Sequence, residues 1–323
     1  MKNNSKYDEL ELILLKKNIP VLLVIFSLVT FLLFTFFNTE STLIENTEST
    51  LIENTESTLI ENTQLEKFPK KIIPIKIIGE LGKESNQFNS PEGMDFFNEK
   101  LYVVDTKNNR LQIFSKNLDL LYTLPLELND AKGIAVTNEK IFVAETYEYL
   151  IKSFDYNGNL INNFSVTWTT DILADENFVY VIEPLIESIQ VYNHNGKLVD
   201  TIGGIVNLHF LDSNEKYFIA SGTHITLNNH ELVLINKETK VIEQRFPTSP
   251  GTTSASVITE NSIFLLDNGI VKIFDFNGNL LLEYLIEIPS SYSALNQIEI
   301  NKNILYILDT SGHKIHMLKI IYE

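Results

Sequence analysis

Five carboxylates recur at one place in this chain. Asp105, Glu145, Glu183, Asp267 and Asp309 each close a short apolar segment, and Ser221 closes a sixth. Acids repeated in this way could ring a cation. They could equally accept backbone N–H groups within their own loops, as aspartate does in turns. The acids return with the segment rather than gathering at one spot, so the local role is the expected one. Two Asp-x-Asn-Gly-Asn stretches, 155–159 and 275–279, look superficially like calcium loops. A calcium-binding EF-hand loop needs glycine at position six and glutamate at position twelve. Here glycine falls at position four, and Val166 or Ile286 stands at position twelve, so both stretches read as hairpin turns. The chain has no cysteine, which removes disulfides, thiolate catalysis and cysteine metal sites.

The apolar segments that carry these acids are LYVVD from Leu101, IFVAE from Ile141, VYVIE from Val179, YFIAS from Tyr217, IFLLD from Ile263 and LYILD from Leu305. They return about every forty residues, a period that marks a repeat architecture built from one supersecondary unit. Each unit reads as four strands. A short first strand such as GMDFF precedes the apolar segment; a polar loop, a third strand such as RLQIF, a turn and a fourth strand such as LLYTL follow. Four strands per period predict an all-β, six-bladed β-propeller. The last unit has no fourth strand before Glu323, whereas a spare strand, KKIIPIKIIGE from Lys70, precedes the first. That spare strand should complete the last blade and close the ring, which hides two otherwise open edges. Asn157-Gly158, Asn195-Gly196 and Asn277-Gly278 predict two-residue turns between third and fourth strands.

The first unit resembles an NHL repeat. The pattern is carried by Phe88, Pro91, Gly93, Asp105-Thr106, Asn108, Asn109, Arg110 and Phe114. The second unit keeps Gly133, Glu145-Thr146 and Phe154, the sixth keeps Asp309-Thr310, and the others match mainly in strand pattern and spacing. The resemblance covers about Lys70 to Glu323 and implies a propeller that acts as a binding platform. Some propellers similar to it are lyases or lactonases, so a metal-dependent enzyme of that kind is the alternative.

In such a ring the first strands face a central channel. Aligning the units places His209, Asp171 and Gln297 there, a thin set for a metal. Neither calcium nor zinc is expected, and no cofactor is. The other histidines, His194, His224, His230, His313 and His316, do not converge on this alignment. No nucleophile elbow or phosphate-cradling glycine loop occurs. A partner would meet the rim made by the second-to-third-strand loops and the links between blades. Trp168, Tyr147, Tyr149 and Tyr292 offer aromatic anchors there, and Arg110 a charged one. Asn163-Phe164-Ser165 is an N-glycosylation acceptor pattern.

Ahead of the repeats lies a different kind of sequence. Residues 19–37 read IPVLLVIFSLVTFLLFTFF, uncharged and long enough to cross a bilayer as a transmembrane helix. Lys16 and Lys17 precede it, while residues 38–64 carry no lysine or arginine. The positive-inside rule then puts residues 1–18 in the cytoplasm and the repeats outside the cell membrane, as a single-pass signal anchor. Residues 38–66 begin with three copies of NTESTLIE and read as an acidic, Ser/Thr-rich stalk leading to the propeller at 67–323. The formal net charge of −17 argues against a grip on a nucleic-acid backbone. The expected partners are therefore the lipid bilayer, through residues 19–37, and an extracellular protein or glycan.

Overall fold

The computed structural model describes residues 68–204, 208–224, 229–247, 253–287 and 295–323. The tail, the apolar span and the stalk expected at 1–66 lie outside the described residues. Among those described, no helix is long and apolar enough to cross a membrane.

Strand β1 (Pro69–Ile78) is followed by six antiparallel units. Blade one comprises β2 (Pro91–Phe97), β3 (Lys100–Asp105), β4 (Arg110–Ser115) and β5 (Leu120–Pro125). Blades two to five repeat this order as β6–β9 (residues 131–165), β10–β13 (172–203), β14–β17 (208–247) and β18–β21 (253–285). Blade six consists of β22 (Leu295–Asn301), β23 (Ile304–Asp309), β24 (Lys314–Tyr322) and, on its outer edge, β1. Ile72 lies opposite Ile320 and Ile78 opposite Ile315. The fold is the six-bladed β-propeller that the period predicts, with its last blade assembled from both ends of the domain.

The second strands look uniformly apolar because both of their faces are buried. Their period of two is nevertheless intact. In β3, Leu101 and Val103 pack with Tyr306 and Leu308 of blade six, whereas Tyr102 and Val104 pack with Ile134 and Val143 of blade two. Each second strand thus serves two neighbouring interfaces, and the core is a circle of such interfaces.

The turns correct one expectation. In the Asn-Gly turns only the glycine has a positive φ: Gly158 at 84°, Gly196 at 82° and Gly278 at 82°. The Gly158 N–H donates to the Asp155 carbonyl at 3.0 Å, and Phe154 is bulged against Leu160. These are longer turns ending in a left-handed residue, not two-residue ones. The reason is the preceding Asp, or Asn193 in the third turn. Asp155 Oδ1 accepts the Asn157 and Asn159 N–H groups at 2.9 and 2.8 Å, and so ties up the loop before it can tighten. Glycine also meets a packing demand. A Cβ on Gly196 would stand 2.3 Å from Phe164 of the previous blade, and one on Gly278 2.4 Å from Phe246. A two-residue turn with both residues at positive φ does occur, at Asn98-Glu99 (49° and 61°), joining β2 to β3.

Candidate functional site

The recurrent acids sit at the ends of second strands and are buried. Asp105 Oδ1 accepts the Asn89 N–H at 2.7 Å; Glu145 accepts that of Asn129, and Glu183 that of Thr167 at 3.3 Å. In each case the donor lies sixteen residues earlier, in the link that enters the same blade. A basic side chain completes several of the sites: Arg110 Nε at 2.8 Å from Asp105, Lys152 at 2.8 Å from Glu145, and Lys272 at 2.7 Å from Asp267. Blade four has Ser221 instead, and there Glu231 on the adjacent strand pairs with Arg245 at 2.7 Å. In blades one to three these acids fasten the entering link to its blade; Asp309 instead accepts the Gly312 N–H within its own turn at 2.7 Å. Arg110, expected as a rim anchor, has its donors engaged within the protein as well: it bonds Asp105 and the carbonyls of Lys83, Glu84 and Gln87.

The first strands surround the central channel, and carboxylates from four blades converge there: Asp95, Asp171, Asp212 and Glu299. They line a cavity of about 40 Å³ that leads into a chamber of about 270 Å³. The chamber opens on the turn face, which carries the turns after first and third strands. Several of these side chains bridge blades. Asp95 Oδ2 accepts the Val136 N–H at 2.6 Å, Asp171 Oδ2 that of Leu211 at 3.1 Å, and Asp212 Oδ2 that of Ile258 at 2.8 Å. Gln297 does the same for the Met94 N–H. Of the expected channel residues, Asp171 and Gln297 line the cavity, and His209 stands outside its lining. Among the described residues no group of three or more acidic or imidazole side chains is placed to hold a metal ion.

Burial, reinforced by neighbouring carboxylates, pushes Asp171 up to about 8 and Asp95 up to about 7; burial also pushes Asp212 up to about 6. In the unfolded chain each would titrate near 3.8. Between those limits the folded protein holds protons that the unfolded chain has released, so stability falls as pH rises through that window. The thermal midpoint is expected to be higher near pH 5 than near pH 8. Each 2 kcal/mol lost corresponds to roughly 4–8 °C for a domain of this size. Asp171→Asn should flatten the profile, and melting curves at several pH values check this. An equally steep profile in the variant would refute the assignment.

The opposite, loop face carries the second-to-third-strand turns. In blades one, two, three and six these turns have one left-handed residue at the same position: Asn109, Tyr149, Glu187 and His313. Asparagine tolerates that conformation; tyrosine adopts it at a cost. Tyr147 is 60% exposed and Tyr149 51%. The corresponding turn of blade three exposes Leu185 (70%) and Ile186 (50%). The link between these blades joins the two turns, because the Val166 N–H donates to the Tyr149 carbonyl at 2.9 Å and Thr167 bonds Glu183. Half-buried Trp168 stands in that link. Tyr147 also receives Lys132 over its ring at 5.7 Å. Trp168, Tyr147 and Tyr149 thus share the loop face of blades two and three with Leu185 and Ile186, two residues not singled out from the sequence. Tyr292 lies outside the described residues.

No protein-family model matches the chain, nor does any curated protein. Solved structures do. Hydrazine synthase of Kuenenia stuttgartiensis aligns with a TM-score of 0.58 at 13% identity, over 72% of this chain and 77% of that one. Virginiamycin B lyase from Staphylococcus aureus aligns with a TM-score of 0.54 at 14% identity, over 78% of this chain and 99% of that one. At such identities the likeness is one of fold. The chain is a β-propeller, a scaffold that serves binding and enzymatic proteins alike.

Proposed function

We propose that this chain is a membrane-anchored propeller that displays its loop face outside the cell and binds a protein partner there. The anchoring half of the reading rests on the uncharged run 19–37 and the lysines before it. The binding half is carried by one observation, the exposure of Tyr147, Tyr149, Leu185 and Ile186 on the corresponding turns of two adjacent blades. Exposed aromatic and aliphatic side chains on rigid turns are the usual material of protein-binding hot spots. Exposed aliphatic members suit a protein better than a glycan.

The test uses the full chain displayed on cells. Protease added outside should cut the propeller without lysis; protection until lysis would overturn the topology. Tyr149→Asn should stabilise the fold by about 0.5–1 kcal/mol, because asparagine accepts the left-handed turn. The same substitution should weaken capture of the partner about tenfold, the scale of a modest hot spot. A variant that is more stable yet captures as well as the parent would remove the patch from consideration. Capture by immobilised glycans in place of proteins would transfer the reading to a carbohydrate ligand.

A further inference from the structure

The second feature lies on the other face and is independent of the loop-face patch. Asp95, Asp171, Asp212 and Glu299 come from four different blades and share one cavity. Asp175 and Glu176 add two more carboxylates at its mouth. None of the ion pairs among the described residues involves the four channel carboxylates. The cation within their field is Lys237, whose ammonium is bonded to Ser213 Oγ and the Asn214 carbonyl, each at 3.2 Å. The cavity therefore holds far more acid than base.

A further observation concerns Ser256. It lines the same inner cavity, is only 4% exposed, and its hydroxyl has no partner. A buried hydroxyl left without a partner is uncommon in a folded protein and calls for an unseen one. The walls of the outer chamber identify its chemistry. Phe97, Val136, Leu173, Ile258 and Ile300 set apolar side chains among the polar groups that line most of the approach. The polar groups are acceptors and are too dispersed to share one metal ion. An inner cavity of about 40 Å³ suits one small cationic head group, and an outer one of about 270 Å³ suits a short alkyl chain.

We propose that the central channel is a receptor for an aliphatic primary ammonium, its head group among Asp95, Asp212, Glu299 and Ser256 and its alkyl stem against the chamber walls. A lysine side chain and a free polyamine share this chemistry. Because burial holds the channel acids protonated, an arriving ammonium displaces protons, which pass to solvent. Binding therefore strengthens as pH rises from about 6 to 8. The groups that shape this response are the four channel acids, Asp175 and Glu176 at the mouth, and Lys237, which opposes entry.

The test is titration calorimetry of the full-length protein in detergent. The titrants are n-butylamine and, as a neutral control, 1-butanol. The amine should bind with proton release, seen as a heat that changes with the ionisation enthalpy of the buffer; the alcohol should not bind. Glu299→Gln should weaken the amine about tenfold. Among the described residues no backbone N–H donates to the Glu299 carboxylate, and an unchanged melting temperature confirms that the variant folds. Ser256→Ala, which preserves shape, should weaken binding about threefold. Acetyl-lysine amide, with its ε-amine free, and spermidine then separate the two sources of the ammonium. Equal binding of amine and alcohol, a Glu299→Gln titration identical to the parent, or a response to calcium but not to the amine would each overturn the assignment.

Discussion

Deleting residues 69–78 is expected to leave a protein that does not fold into a soluble, ordered domain. The segment is the outer strand of blade six, and eight of its residues lie opposite residues of β24. Without it, β24 becomes an open edge of nine residues, Lys314–Tyr322, that includes the normally buried Leu318 and Ile320. Such an edge is a template for aggregation. Ile72, 2% exposed and packed with Leu318 and Ile320, is lost too, a loss of about 1.5–3 kcal/mol by itself. Add the ladder hydrogen bonds, and the sum approaches the roughly 5–15 kcal/mol that holds a whole domain together. Size-exclusion chromatography and near-ultraviolet circular dichroism report the outcome. A peptide of residues 68–80 supplied in trans should restore order by strand addition, whereas a scrambled peptide should not. A monomeric deletion product with native aromatic dichroism would show that the ring does not depend on its seam.

Asp105→Ala should destabilise the propeller by about 3–5 kcal/mol, the cost of stranding one partner of a buried ion pair. Asp105 is fully buried and holds the Asn89 N–H, the Asn108 amide and Arg110 together. Without it the Arg110 guanidinium remains, surrounded by carbonyls of the link that it anchors. The thermal midpoint should fall by roughly 6–20 °C. Asp105→Asn should cost less, because one acceptor oxygen survives. Breaking the exposed Lys116–Glu99 pair is the control and should leave the thermal midpoint nearly unchanged, because solvent screens that pair. If Asp105→Ala melts within a degree or two of the parent, the recurrent acid is not what fastens the link, and a role facing outward would have to be reconsidered.

The ring, its six blades and its mixed seam were legible in the sequence because the second strands are buried on both faces, which keeps them apolar at a regular interval. The buried role of the recurrent acids was legible because they repeat with the blade. The channel was only half legible. Asp171 and Gln297 emerge from aligning first strands, whereas Asp95, Asp212 and Glu299 stand elsewhere in theirs, where bulges such as those at Pro91/Gly93 and Leu208/Phe210 shift the register. A usable signal existed: GMDFF, HFLDS and QIEI each set a lone acid among apolar neighbours. Leu185 and Ile186 went unread because an apolar pair beside a strand looks like its continuation. Arg110 read as a surface charge because the link it clasps, 83–87, lies more than twenty residues upstream.

The seam also has a temporal side. Pro69 meets Tyr322, so the earliest part of the domain to be synthesised waits for the latest. At a ribosomal pace of about 5–20 residues per second, that wait is on the order of ten seconds to a minute. Throughout it the strand IIPIKII is an unclaimed ribbon. Its prolines at 69 and 74 and its lysines at 70, 71 and 76 are what gatekeeping against premature pairing requires. Birth order thus gives this edge a chaperoning problem that its own composition helps to solve.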